Sequence, residues 1–143
     1  MIRLVWALLC RSSAVDRDSN SLSIFDVAEE LTLLEPINSP GAAAFPLQLV
    51  SLWTRVTPTE AAKALARVTL LLPSGKPATK LEEFQVDLTE FLRLRHRLTM
   101  GMFPIVEAGV HEMLIEIQQQ DGHWNEASRV PFELKVAEQP KAS

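Results

Sequence analysis

The chain is poor in the residues that staple, cradle or catalyse. It has one cysteine, Cys10, among 143 residues, so no intrachain disulfide can form. That usage fits a reducing compartment, and a cytoplasmic origin is the expectation. Glycines number five and are scattered, which excludes a glycine-rich phosphate loop. No G-x-S-x-G elbow occurs, and Ser12-Ser13 and Ser39 have no recognisable catalytic partners. No run approaches the ~18 apolar residues of a membrane span. Basic residues number 14 against 18 acidic ones, a net charge of −4, which argues against a general nucleic-acid binder. The expectation is a protein that is no enzyme and has no cofactor, no metal, no nucleic acid and no membrane among its partners.

What remains is ordinary for a globular fold: 47% hydrophobic and 22% charged residues. A chain this long buries about 70% of its extended surface and needs no staples. Length predicts a single domain over 1–137, with 138–143 as a flexible tail. Met1-Ile2-Arg3 followed by Leu4 to Cys10 loosely imitates a short signal peptide ending at a lipoprotein cysteine. Its apolar stretch is short and no small residue precedes Cys10, so a first strand is the better reading. Cys10 is then a buried thiol rather than a nucleophile.

The clearest pattern lies near the end. Val110 to Ile117 alternates, Asp121-Gly122 turns the chain, and Val130 to Val136 alternates back. Met113, Ile115 and Ile117 share a face, as do Phe132, Leu134 and Val136. The same period marks strands at Ile2–Cys10, Phe45–Val56, Lys63–Leu72, Phe84–Leu88 and Phe91–Thr99. In Phe45–Val56 the inward set is Leu47, Leu49, Ser51 and Trp53. Leu22–Leu34 fits both strand and helix, and the preferred reading is a strand broken near Asp26. Pro36 to Ala44, Pro73-Ser74-Gly75 and Gly101 to Gly109 read as loops or connectors. Pro58 to Ala66 is the best place for a turn of helix.

These elements predict an all-β antiparallel two-sheet sandwich of seven to nine strands, with immunoglobulin-like or related topology. The chain also resembles an uncharacterised bacterial family of small β-sandwich proteins, a domain of unknown function. The resemblance rests on Leu8-Leu9-Cys10, on Leu22 to Val27, on Phe45-Pro46, and on Phe103-Pro104 with Gly109-Val110-His111. It covers nearly the whole chain. It implies a two-sheet sandwich and transfers no catalytic residues. The family more often has glycine where Asp26 stands and an aromatic where His111 stands.

The sharpest charged feature is Arg93-Leu94-Arg95-His96-Arg97-Leu98. On a strand, Arg93, Arg95 and Arg97 line one face, and Leu92, Leu94, His96 and Leu98 the other. Three forked guanidiniums suit phosphates or carboxylates. The competing reading pairs them across the sheet with Glu112, Glu116, Glu82, Glu83 or Asp87, which is routine and contributes little. His96, His111 and His123 fit no zinc spacing, although His96 and His111 would meet if their strands were neighbours. Asp16-x-Asp18 lies where a calcium-binding loop would sit, but a solvated turn is the stronger reading. Trp6 and Trp53 read as core; Trp124 follows a tight turn, where an exposed ring could anchor a partner but more often folds back over the sheet edge. The expected function is a non-enzymatic binding or assembly module of the bacterial cytoplasm, with a protein partner or homo-oligomer. Alternatives are recognition of a small anionic ligand through the arginine stripe and, less favoured, a hydrolase or metal-dependent enzyme.

Overall fold

A computed structural model describes residues 1–33, 41–105 and 107–136. The expected tail at 138–143 and most of the expected loop at 36–44 fall outside these residues. Nine strands run β1 (Ile2–Val15), β2 (Leu22–Val27), β3 (Glu30–Leu33), β4 (Gly41–Arg55), β5 (Ala62–Leu71), β6 (Pro77–Leu88), β7 (Arg93–Ile105), β8 (Gly109–Gln118) and β9 (Trp124–Val136). They form a four-stranded sheet, ordered β2-β1-β4-β7, and a five-stranded sheet, ordered β3-β9-β8-β5-β6. No helix occurs among the described residues. The all-β, two-sheet expectation holds.

One pairing departs from the antiparallel expectation. β3 lies parallel to β9, with Glu30 opposite Glu133 and Leu33 opposite Val136. The break between β2 and β3 carries the chain from one sheet to the other. Asp26 has φ 55°, a left-handed conformation that aspartate tolerates and glycine adopts freely. The expected break near Asp26 is therefore real.

Both sheets turn their apolar faces inward. Leu47, Leu49 and Trp53 of β4 meet Met113, Ile115, Ile117, Phe132 and Leu134 of the final hairpin in one core. Ser51 is the polar member of the β4 face, and its hydroxyl accepts from the Trp53 indole N–H at 2.9 Å. The final hairpin turns at Gly122, φ 82°. Its return strand starts at Trp124, earlier than Val130, and a register shift at Ile115/Glu116 absorbs the difference. At the edge of the sheets, Gln119 bonds back to the Ile2 carbonyl at 2.7 Å and ties β1 to this turn.

Three boundaries are corrected. Pro58 to Ala66 holds no helical turn: Glu60 closes a tight turn onto Thr57, and β5 begins at Ala62. Ala62, Ala64 and Ala66 enter the core opposite Leu88, Val86 and Phe84, so sheet pairing overrides alanine's helical preference. β6 starts at Pro77 rather than Phe84, with two register shifts along β5 that break its alternation. Gly41–Ala44 and Gly101–Ile105 are strand, because β4 and β7 pair beyond the expected loops.

The four-stranded sheet also has a covered outer face. Cys10 and Val50 are fully buried yet point away from the main core. Arg95 sits on the same row as Leu52 and Trp6, and its guanidinium reaches the carbonyl of Asn20. Asn20 lies beyond the far end of β1. The β1–β2 hairpin therefore bends back over this face.

Candidate functional site

β7 is the outermost strand of its sheet, and its alternation is as expected. Leu94 and Leu98 pack against the core, while Arg93, Arg95 and Arg97 lie on the outer face opposite Thr54, Leu52 and Val50. The carboxylates that would neutralise them are engaged elsewhere. Glu116 pairs with Arg67 at 2.9 Å and Glu112 with Arg129 at 3.4 Å. Glu83 pairs with Lys80 at 3.1 Å and Asp87 with Lys63 at 3.8 Å, while Glu82 faces His96 at 3.5 Å, an ion pair only when that histidine is protonated. Glu112 and Glu116 are on β8, in the other sheet, and that is why the expected cross-strand pairing fails. Among the described residues no ion pair involves the three arginines.

Their hydrogen bonds go to neutral groups. Arg97 Nη1 donates to Ser13 Oγ at 3.4 Å, and Ser13 in turn donates to Gln48 at 2.5 Å. Arg95 Nη2 donates to the Asn20 carbonyl, while its Nη1 is buried with no partner among the described residues. Arg55 shows what a structural arginine looks like here. Its three nitrogens donate to the carbonyls of Leu88, Pro58 and Thr89 at 2.8, 2.8 and 3.1 Å.

Arg93 and Arg95 line a cleft of about 520 Å³ between the sheet and the folded-back hairpin. β1 contributes Trp6, β4 contributes Leu52, and the hairpin contributes Asn20 and Leu22. The connection into β7 adds Phe91 and Leu92. Phe91 is 65% exposed, a large apolar surface at the rim. The hairpin turn is built by Asp16, whose carboxylate accepts from the N–H groups of Asp18 and Ser19 at 2.9 and 2.8 Å. Those bonds hold the Asp16 carboxyl below the usual carboxylate range. The Asp16-x-Asp18 pair is thus an Asx turn that positions Asn20.

The other sequence candidates do not join this site. Trp124 lies on the outer face of the five-stranded sheet, half-buried, with the Arg67 guanidinium 4.1 Å from its ring centroid. The ring lies back against the sheet, the other of the two outcomes open to it. A second cleft of about 580 Å³ on that face is lined by Arg67, Lys80 and Arg129, each of which has a carboxylate partner. Trp6 is cleft wall rather than core. His96 and His111 do not meet, because His96 packs across the sandwich on β6, and β8 lies two strands away from β6. His96 stacks on Phe84 with centroids 3.6 Å apart, and burial lowers its pKa while Glu82 opposes that shift. His111 stacks on Phe132 at 5.3 Å, and its Nδ1 donates to the Gly109 carbonyl at 3.1 Å. Cys10 is buried, as expected, and desolvation raises its thiol pKa.

Phe91 could have been found from its place beside the stripe. Asn20 and Leu22 had no sequence signal, since only the bend of the hairpin brings them to β7.

No protein-family model and no curated protein matches the chain. Solved structures similar to it include an alkylpurine DNA glycosylase, AlkC, from Pseudomonas fluorescens, at 11% identity and TM-score 0.41. That likeness covers 94% of this chain and 30% of the glycosylase. A β-glucosidase from Listeria innocua matches at 13% identity and TM-score 0.43, over 92% of this chain and 16% of the enzyme. The soluble domain of PmoD from Methylocystis matches at 10% identity and TM-score 0.37, over 94% of this chain and 98% of that one. Likenesses this weak carry no argument about what the chain does. No helix among the described residues is long and apolar enough to cross a membrane.

Proposed function

We propose that this chain is a non-enzymatic binding module whose ligand is an anion held at Arg93 and Arg95. The observation that carries the reading is uncompensated charge. Two guanidiniums border one cleft, and no carboxylate pairs with either among the described residues. In an acidic protein of net charge −4, such a patch steers and orients an anionic partner. The described lining offers guanidinium, carbonyl and apolar groups, which bind but neither abstract protons nor attack. A cytoplasmic setting, supported by the single cysteine, belongs to the same proposal. So does a sandwich of immunoglobulin-like or related topology. The crossings between sheets after β2, β3, β4, β6 and β7 support that topology.

The test is stabilisation by inorganic phosphate at low ionic strength. Phosphate should raise the melting temperature more than the same ionic strength of chloride, and added salt should erase the difference. The variant Arg93→Gln/Arg97→Gln leaves the Arg95 tether in place. It should lose the phosphate effect and keep its melting temperature without phosphate. Equal stabilisation in the variant would remove the arginines from the site.

A second reading has its own observation. β2 is an outer strand with Phe25 50% and Val27 55% exposed. An apolar free edge suits pairing with a second copy or a protein partner. Sedimentation of wild type and Phe25→Asp tests it: a dimer that the substitution dissolves would favour assembly.

A further inference from the structure

We infer that the ligand of this cleft is a small monocarboxylate with an apolar body, rather than a bare oxyanion or a polyanion. The inference rests on the anion-binding reading above and specifies its ligand. The space of about 520 Å³ lies within the ~300–1,000 Å³ typical of small-molecule sites. An inorganic oxyanion at the arginines leaves most of it empty.

Charged and apolar groups both line the cleft. Arg93 and Arg95 stand on the β7 side, two residues apart on one strand. Trp6 and Leu52 lie across the sheet from Arg95, and the hairpin adds Leu22 beside Asn20. Phe91 flanks the arginines at the rim. A charged head at the arginines would therefore have apolar surface beside it for a body. One carboxylate can accept from both guanidiniums with its two oxygens.

The number of charges is limited as well. Arg97 does not line the cleft, and Arg95 already spends Nη2 on the Asn20 carbonyl. What is left suits one anionic head and not a chain of phosphates. The body meets indole, phenyl and leucine surfaces, which take alkyl or aromatic groups.

The experiment is calorimetric titration of the full chain with acetate, inorganic phosphate, decanoate and decanol at one ionic strength. Decanoate is kept below its micelle concentration. Decanoate should bind at least about tenfold tighter than acetate or phosphate, the effect of burying about two methylene groups. It should also bind about tenfold tighter than decanol, which lacks the charge. Arg93→Gln should bring decanoate down to the decanol value. Phe91→Ala, at an exposed position, should weaken decanoate severalfold and leave phosphate unchanged. If phosphate binds as tightly as decanoate, the site is a bare anion site: the proposed function stands and this inference falls. If decanol equals decanoate, the head plays no part and the inference falls. Decanoate binding that ignores both substitutions lies elsewhere and overturns it. If no anion binds, both readings fail together.

Discussion

Ser51→Ala is a small change with a consequence that can be worked from the structure. Ser51 is 4% exposed on the inward face of β4, among leucines, where a hydroxyl is out of place. Its role is Trp53, whose indole Nε1 donates to Ser51 Oγ at 2.9 Å and which is itself fully buried. Alanine removes the acceptor and leaves a buried N–H unsatisfied. That loss is about 1–3 kcal/mol, slightly offset because no hydroxyl is desolvated. For a chain near 150 residues, roughly 2–4 °C accompanies each kcal/mol, so the melting temperature should fall by roughly 2–12 °C. A double-mutant cycle isolates the bond. In a Trp53→Phe background the serine has no indole to accept from, and Ser51→Ala should be close to neutral. Chemical denaturation of the four proteins supplies the numbers. Equal cost in both backgrounds would show that the pair is not coupled and would refute this account of the core.

Two further outcomes are expected. Cys10 should label with a thiol reagent only at the rate of unfolding, since it is fully buried at the base of the β1–β2 hairpin and desolvation raises its pKa; fast labelling of the native protein would contradict the covered outer face. His96 has a folded-state pKa below its unfolded value, mainly through burial. Its contribution is thus complete above about pH 6.5 and is lost as pH falls through the lower folded value. His96→Phe, which preserves the stack on Phe84, should flatten the stability change between pH 7.5 and 5; a wild type that gains stability over the variant on acidification would mean that the Glu82 pair dominates.

How far the residues alone could be read follows from which interactions are local. Period-two alternation exposed the β4 face, the β8–β9 hairpin and the outward set of arginines, because each depends only on its own strand. The parallel β3–β9 pair had no local signature, since Glu30–Leu33 is too short to declare a partner. The alanines of β5 read as helical because their sheet neighbours, Leu88 and Val86, are distant in sequence. The cleft itself was hidden for the same reason. Arg93 and Arg95 were visible as a stripe, but Asn20 and Leu22 reach them only through the backward bend of β1–β2. Which way the Trp124 ring turns could not be read from the turn before it, because Arg67, which covers the ring, is on another strand.

The most direct test of the central claim is where an anion perturbs the molecule. A ¹⁵N-labelled sample titrated with inorganic phosphate reports every backbone amide and every indole and guanidinium N–H. The account predicts shifts centred on Arg93 to Arg97, Leu52, Asn20 and the Trp6 indole, with the five-stranded sheet silent. Shifts centred instead on Arg67, Lys80 and Arg129, or spread evenly over the surface, would contradict it.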